Sequence, residues 1–392
     1  MSGPLSGIRV VDLTSVAMGP YATQILGDMG ADVVKIESRE GDAFRHAAPH
    51  KNLGMGAAFL NLNRNKRSVV LDLKNAEDHG ILLDLIETAD VFVSNVRPGS
   101  LRKLELDYDT LQKSNSRLIY CGAYGFSESG PYAGRPAFDD IVQSMSGLAF
   151  LQGGNGVEEP RYVNTIVADK TAGLTVAYSI AMALYERERS GVGQAIEVPM
   201  FETLVSFALV EHLGGETFKP AIGPMGYSRV LSKHRRPYRT LDGYISLMPY
   251  TDSQWKRFFI LAGCPDHADD PRFSTLAGRS KNIDSLYDLL AGLVSRQTTE
   301  EWSARMSGAD IPMAPVLSPA QLLEDEHLNA TSYFRTDEHP TEGKLRTVGI
   351  PTAFSRTPGA IRSLAPLLGE HTAEVISEIN LRRATKSRAG SN

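Results

Sequence analysis

Residues 8–37 read IRVVDLTSVAMGPYATQILGDMGADVVKIE, and this stretch decides the fold. Ile8 to Leu13 is short, apolar and rich in β-branched residues, which predicts a strand. Gly19-Pro20 reads as a chain break. From Tyr21 to Met29 the spacing is helical, with Ala22, Ile25, Leu26 and Met29 on one face. Gly30 follows as a C-terminal cap. Asp32 to Glu37 is a second strand. Strand, helix and strand in about thirty residues build a parallel sheet.

The same alternation continues downstream. Ser68 to Leu73 predicts a strand, Ala76 to Thr88 a helix, and Val91–Asn95 and Arg117–Ala123 two further strands. The first ~125 residues therefore predict an open, doubly wound α/β layer. Phe138 to Phe150 reads as one helix, followed by the loop 153–156. Thr171 to Arg189 predicts a long helix. It is apolar nearly all round from Ala172 to Leu184, so its first turns should be buried. Gln194–Val198 reads as a strand and Phe201–Leu213 as a helix. Gly214 to Arg239 is rich in Gly, Pro and basic residues and reads as a linker or loop. Asp242-Gly243 between two short apolar runs signals a hairpin. Helical segments follow near 253–261, 282–295 and 299–306. The tail is punctuated by proline and ends in a helix, Thr372–Asn380.

With 392 residues the chain exceeds one comfortable core, so two domains are expected. A net charge of −5 argues against general nucleic-acid binding. Cys121 and Cys264 have no zinc-like spacing, and two lone thiols fit a reducing, cytoplasmic compartment. No secretion signal and no membrane span are expected. His46 and His50 lack a third ligand, so no metal is expected. The first strand–helix junction has no GxGxxG, and Walker A, GxSxG and HExxH motifs are missing. Nothing therefore calls for a bound nucleotide cofactor.

Asp169 stands just ahead of the predicted long helix. A carboxylate there is either a helix cap or a nucleophile favoured by the free N–H groups and dipole of the helix start. Asp139 likewise reads as a cap of the helix near Asp140 or as a partner of Asp169. The stretch Tyr227 to Arg236 is basic and flanked by aromatics. It suits either a linker or a pocket for a carboxylate.

Several segments occur in a telling order. They are Gly19-Pro20, residues 30–37, Gly41-Asp42 with Arg45, residues 63–68, Asn95-Val96-Arg97-Pro98-Gly99, Gly130-Pro131-Tyr132 and residues 136–140. Asp169 with Gly173, Gly191-Val192-Gly193-Gln194, Asp310-Ile311-Pro312 and residues 367–371 follow. Together they resemble the class III CoA-transferases of the formyl-CoA and carnitine CoA-transferase type, over essentially the whole chain. The resemblance implies an interlocked homodimer. Each chain would form a large Rossmann-like α/β domain from both ends (1–213 and 322–392), a linker (214–224) and a smaller α+β domain (225–320).

The implied chemistry is transfer of CoA from an acyl-CoA donor to a carboxylic acid acceptor. Coenzyme A thioester is the substrate and no cofactor is held permanently. Asp169 would attack the thioester, form a mixed anhydride and then an aspartyl-CoA thioester. Asp139 would sit close by and orient it or the acceptor. Backbone N–H groups near Ala17 and Met18, or in the glycine loops at 153–156 and 214–215, would meet the oxyanion. By position, Val16, Ala17, Asn95 and Val96 would flank CoA, and Arg39, Arg97, Arg102 and Lys103 would meet its phosphates. Leu71 would line the adenine slot unless it is strand core. Gly214–Gly226 lacks the unbroken glycine run of formyl-CoA transferases, which argues against an oxalate/formate pair. Two other functions compete. One is an α-methylacyl-CoA racemase, which in that family has a histidine where this chain has Asp139. The other is a non-catalytic acyl-CoA-binding paralogue.

Overall fold

The computed structural model describes residues 3–389. Six strands form one parallel sheet: β1 (Arg9–Leu13), β2 (Asp32–Glu37), β3 (Lys66–Val70), β4 (Val91–Ser94), β5 (Ile119–Tyr124) and β6 (Ala195–Pro199). Their order is β3-β2-β1-β4-β5-β6. The winding reverses between β1 and β4, where Val10 lies beside Val33 on one side and Val91 on the other. This is the doubly wound order, whose switch point opens a crevice at the carboxyl ends of the strands.

The period-2 alternation of the strands feeds two cores. Val10, Val33, Val91, Val93, Ile119 and Cys121 point to one face, where they meet the helix Met18–Asp28 and the long helix Val167–Ser190. Val11, Val34, Phe92, Leu118 and Tyr120 point to the other, covered by the helix Ala76–Glu87 and the C-terminal helix Thr372–Ala389. Val375 and Ile379 of that last helix are buried there. Arg67 on β3 pairs with Glu374 at 3.0 Å and Glu378 at 2.7 Å.

The chain divides into two compact units. The first runs through Leu148, resumes at Tyr162–Ala208 and returns from Ala330 onward. The second takes Ala149–Arg161 and Leu209–Asn329. It holds a three-stranded antiparallel sheet of β7 (Tyr238–Arg239), β8 (Tyr244–Leu247) and β9 (Met313–Pro315). Its core is aromatic, built on Trp255, Phe258, Phe259, Phe273 and Trp302. Thr251 with Gln254 and Thr298 with Glu301 close capping boxes on two of its helices.

Several expectations are corrected. Gly19 and Pro20 do not break the chain but lie in the first turn of the helix Met18–Asp28. A proline there removes an N–H that has no helical partner anyway. Phe138–Phe150 is two helices, Asp139–Met145 and Leu148–Gln152, parted at Gly147 with φ 83°. The long helix starts at Val167, so Asp169 stands inside its first turn. Its apolar girth is not buried all round: Ala172, Val176 and Ile180 are buried, while Leu174, Tyr178, Met182 and Tyr185 are exposed. The tail also contains an unforeseen antiparallel hairpin, β10 (Phe334–His339) with β11 (Gly343–Val348). Among the described residues no helix is long and apolar enough to cross a membrane.

Candidate active site

The loop after β1 is fixed from three sides. The buried Asp12 carboxylate accepts from the Thr14 N–H at 3.0 Å and from the Thr23 hydroxyl at 2.6 Å. The Lys35 ammonium donates to the Thr14 carbonyl at 2.7 Å and to Asp42 at 2.9 Å. Asp42 in turn accepts from the Val16 N–H at 3.1 Å. This holds Val16 at φ 70°, a left-handed conformation that is strained for a β-branched residue. From the other side the Asn95 side chain accepts from the Ser15 N–H at 3.1 Å and donates to its carbonyl at 2.9 Å. Residues 14–16 are thus spoken for, and the helix begins at Met18 with its first N–H groups free of helical partners.

Beneath the loop lies a buried cluster of charges. Lys35, Lys66, Asp12 and Asp42 have fully buried side chains, with Lys66 reaching Asp12 at 3.2 Å. Two ammonium groups balance two carboxylates, the condition under which burial of so much charge is tolerable. Burial alone would raise the Asp12 carboxyl, but Lys66, Lys35 and the two threonine hydroxyls outweigh it and hold it below its usual value. Beside this cluster Arg45 grips Glu37 through two nitrogens, each at 2.8 Å.

Asp169 faces this loop. Its carboxyl is pushed up to about 6, first by burial and second by the negative charge of Asp139, with the Met18 N–H pulling the other way. The helix that carries it has no cap on its own chain neighbour, Ile166. Asp139 supplies the cap from another helix: its Oδ1 accepts from the N–H groups of Ala168 at 2.7 Å and Asp169 at 3.0 Å. Gln143 donates to its Oδ2 at 2.6 Å. So Asp139 does not cap its own helix, which begins at Asp139 with Phe138 as its boundary; the expectation of a local cap is corrected. Gly173, one turn on, lets the two helices touch. A Cβ there would lie 2.7 Å from the Met18 carbonyl oxygen.

Two cavities meet at Asp169. The first, about 270 Å³, is lined by Val16, Ala17, Asn95, Arg97, Tyr124, Arg135 and Phe138 among others, as well as by Asp169. It occupies the crevice between the loops after β1, β4 and β5, where doubly wound sheets bind ligands. The second, about 500 Å³, is reached on the other side of Ala17 and Asp169 and is walled by Tyr21, Asn61, Lys170, Phe334 and Arg346.

The structure therefore gathers Val16, Ala17, Asn95 and Arg97 with Asp169 in one cavity. Val96 instead packs against the second core of the sheet. Leu71 is 2% exposed in that same core, so it is strand core rather than the wall of an adenine slot. Arg39, Arg102 and Lys103 are exposed and do not line the cavity. The glycine-loop amides are engaged in turns of the second unit, Gly153 to Ala149 and Gly215 to Pro224. In that unit Arg229 donates to the Tyr287 hydroxyl at 3.3 Å, and Ser232 to Asp284 at 2.5 Å. Tyr21, Tyr124, Arg135 and Arg346 were not foreseen. Arg346 was hidden with its hairpin, since the strand alternates polar with apolar only weakly.

The Asp169 carboxylate thus opens on the crevice at the switch point of a doubly wound α/β sheet. The chain belongs to CoA-transferase family III, whose pattern matches residues 5–372. It is 33% identical to the succinate–glutarate CoA-transferase of Agrobacterium fabrum, covering 96% of both chains. It is 32% identical to the succinyl-CoA–L-malate CoA-transferase beta subunit of Chloroflexus aurantiacus, over 96% of this chain and 94% of that one. A CaiB/BaiF family protein from Brucella suis has the same fold, with a TM-score of 0.82 and 30% identity over 97% of this chain and 100% of that one. The protein is accordingly a CoA-transferase.

Proposed function

We propose that this enzyme moves CoA from an acyl-CoA to a free carboxylic acid, with Asp169 as the nucleophile. The observation that carries the reading is a carboxylate at a helix start, facing the Met18 N–H and open to two cavities. The Asp169 carboxylate, held by the Met18 N–H, attacks the thioester carbonyl, and the oxyanion takes the N–H group of Ala17. The C–S bond breaks, CoA thiolate leaves and a mixed anhydride remains. The thiolate then attacks the aspartyl carbonyl and expels the first acid as its carboxylate, leaving an aspartyl-CoA thioester. The acceptor carboxylate attacks that thioester and thiolate leaves again. Attack of the thiolate on the acceptor's carbonyl frees the new acyl-CoA and restores Asp169. One thioester replaces another, so no nucleotide is consumed.

CoA enters by the first cavity, along Val16, Ala17 and Asn95. Its phosphates are assigned to Arg97 and, on the helix Pro98–Lys103 that follows, to Arg102 and Lys103. Names of the relatives point to dicarboxylic acids as the exchanged pair. A homodimer fits the exposed apolar stripe Leu174, Tyr178, Met182 and Tyr185, which a second copy would cover. Racemisation needs two acid/base groups on opposite faces of the substrate. Asp139 is unsuited to that, being 6% exposed and bonded to Ala168, Asp169 and Gln143.

Mass spectrometry after incubation with acyl-CoA donors and free acids in heavy water tests the proposal. A CoA-sized adduct on the Asp169 peptide, with a new acyl-CoA in solution, is expected. Deuterium at the α-carbon without an adduct would sink it in favour of racemisation.

The pair of carboxylates also sets the pH response. A carboxylate nucleophile must be ionised, so kcat/KM is expected to rise with pH through about 6, the value for Asp169. Asp139→Asn keeps an oxygen for the Ala168 and Asp169 N–H groups but removes a negative charge. The acid limb should then move to lower pH, read as a raised fraction of plateau activity at pH 5. An unmoved limb would mean that Asp139 does not tune Asp169.

A further inference from the structure

We infer that the second cavity is the seat of the acceptor's far end, and that Arg346 recognises a second carboxylate there. The inference rests on Asp169 being the nucleophile and deepens that reading to a class of acid and a residue that selects it. Three observations support it. The cavity shares Ala17 and Asp169 with the first, so an acid whose reacting carboxylate lies at Asp169 extends into it without displacing CoA. Tyr21 and Phe334 give apolar walls for a short methylene chain.

Third, the cations in that cavity are not equivalent. Lys170 is committed, donating to the Thr165 hydroxyl at 2.6 Å. Arg346 lines the cavity and has no side-chain hydrogen bond or ion pair among the described residues. The hairpin register puts Arg346 opposite Thr336 and Val348 opposite Phe334, so Arg346, Val348 and Phe334 share one face. That face is anchored. Arg64 donates to the Val348 carbonyl at 2.5 Å while its other nitrogens hold Asp28 at 2.7 and 3.0 Å, and Asp28 lies in the helix that also carries Tyr21. A guanidinium on a tethered strand, with its five donors free, matches a carboxylate in two parallel hydrogen bonds. A monocarboxylic acid of the same length has nothing to offer it.

The test compares succinate with butyrate as acceptors, with succinyl-CoA or butyryl-CoA as donor, in wild type, Arg346→Met and Arg346→Lys. The wild type should prefer succinate. In Arg346→Met that preference, as a ratio of kcat/KM values, should fall about 10–100-fold, mostly through the KM for succinate. Arg346→Lys should recover part of it. A purely structural role would depress both acids alike, and that result, or an unchanged ratio, would overturn the inference. The CoA adduct on Asp169 is read in the same samples. An adduct with unchanged discrimination overturns the role of Arg346 alone. Absence of any adduct in wild type overturns the nucleophile, and the Arg346 assignment with it.

Discussion

Asp169→Asn is expected to lower CoA transfer by at least about 1,000-fold and to leave no CoA adduct on its peptide. An amide of the same shape can neither attack a thioester nor form an anhydride. The same change is expected to stabilise the folded protein at neutral pH. Burial and Asp139 raise the Asp169 carboxyl from 3.8 to about 6 on folding, so folding favours its protonated form. Its contribution to stability is complete below the unfolded value near 3.8 and is lost as pH rises through about 6. Above that pH the ionised group opposes folding, on the order of 3 kcal/mol. Urea denaturation should therefore show the variant ahead of wild type at pH 8 and level with it near pH 4. Full activity in the variant would remove Asp169 from the mechanism. Equal stability at pH 8 would mean that the site does not strain its own nucleophile.

Lys35→Met is expected to destabilise the first unit by about 3–5 kcal/mol, as a lower urea midpoint. The ammonium is fully buried between Asp42 and the Thr14 carbonyl. Without it Asp42 keeps its charge and retains only weaker N–H partners, those of Val16 and Phe44. The damage is electrostatic, so the double variant Lys35→Met/Asp42→Asn should recover much of the lost stability. Additive losses in that cycle would show that the two groups do not act as a pair. Activity should fall in the single variant as well, because the same contacts hold Val16 in its left-handed conformation and aim the following N–H groups.

What could be read in the chain beforehand follows the range of the forces involved. The parallel strands were legible because Ile8–Leu13, Asp32–Glu37 and Val91–Asn95 carry the β-branched, doubly buried pattern of an inner sheet. Asp169 stood out through its neighbours in order along the chain. The start of its helix did not, because the group that caps it, Asp139, is distant in sequence and reaches it only through folding. Leu71 was ambiguous for a related reason, since a strand residue buried in a core and one lining a slot have the same local sequence. The exposed stripe on the long helix was invisible too: an apolar residue left on the surface reads in sequence like one that is covered. Arg346 was missed with its hairpin, whose strands FRTDEH and GKLRTV are mostly polar.

The return of the last helix to the sheet has a consequence for how the protein is made. When Asn329 has just left the ribosome, all six strands of the parallel sheet have been synthesised, yet one face still lacks Val375, Ile379 and the clasp of Arg67 on Glu374 and Glu378. The nascent sheet thus waits with part of one greasy side, beside the helix Ala76–Glu87, uncovered through some fifty further residues of translation, at a few to tens of residues per second. Its second unit can already close around Trp255 and Trp302 in that interval. A stop codon in the final helix would release a chain complete in strands and still unable to seal itself.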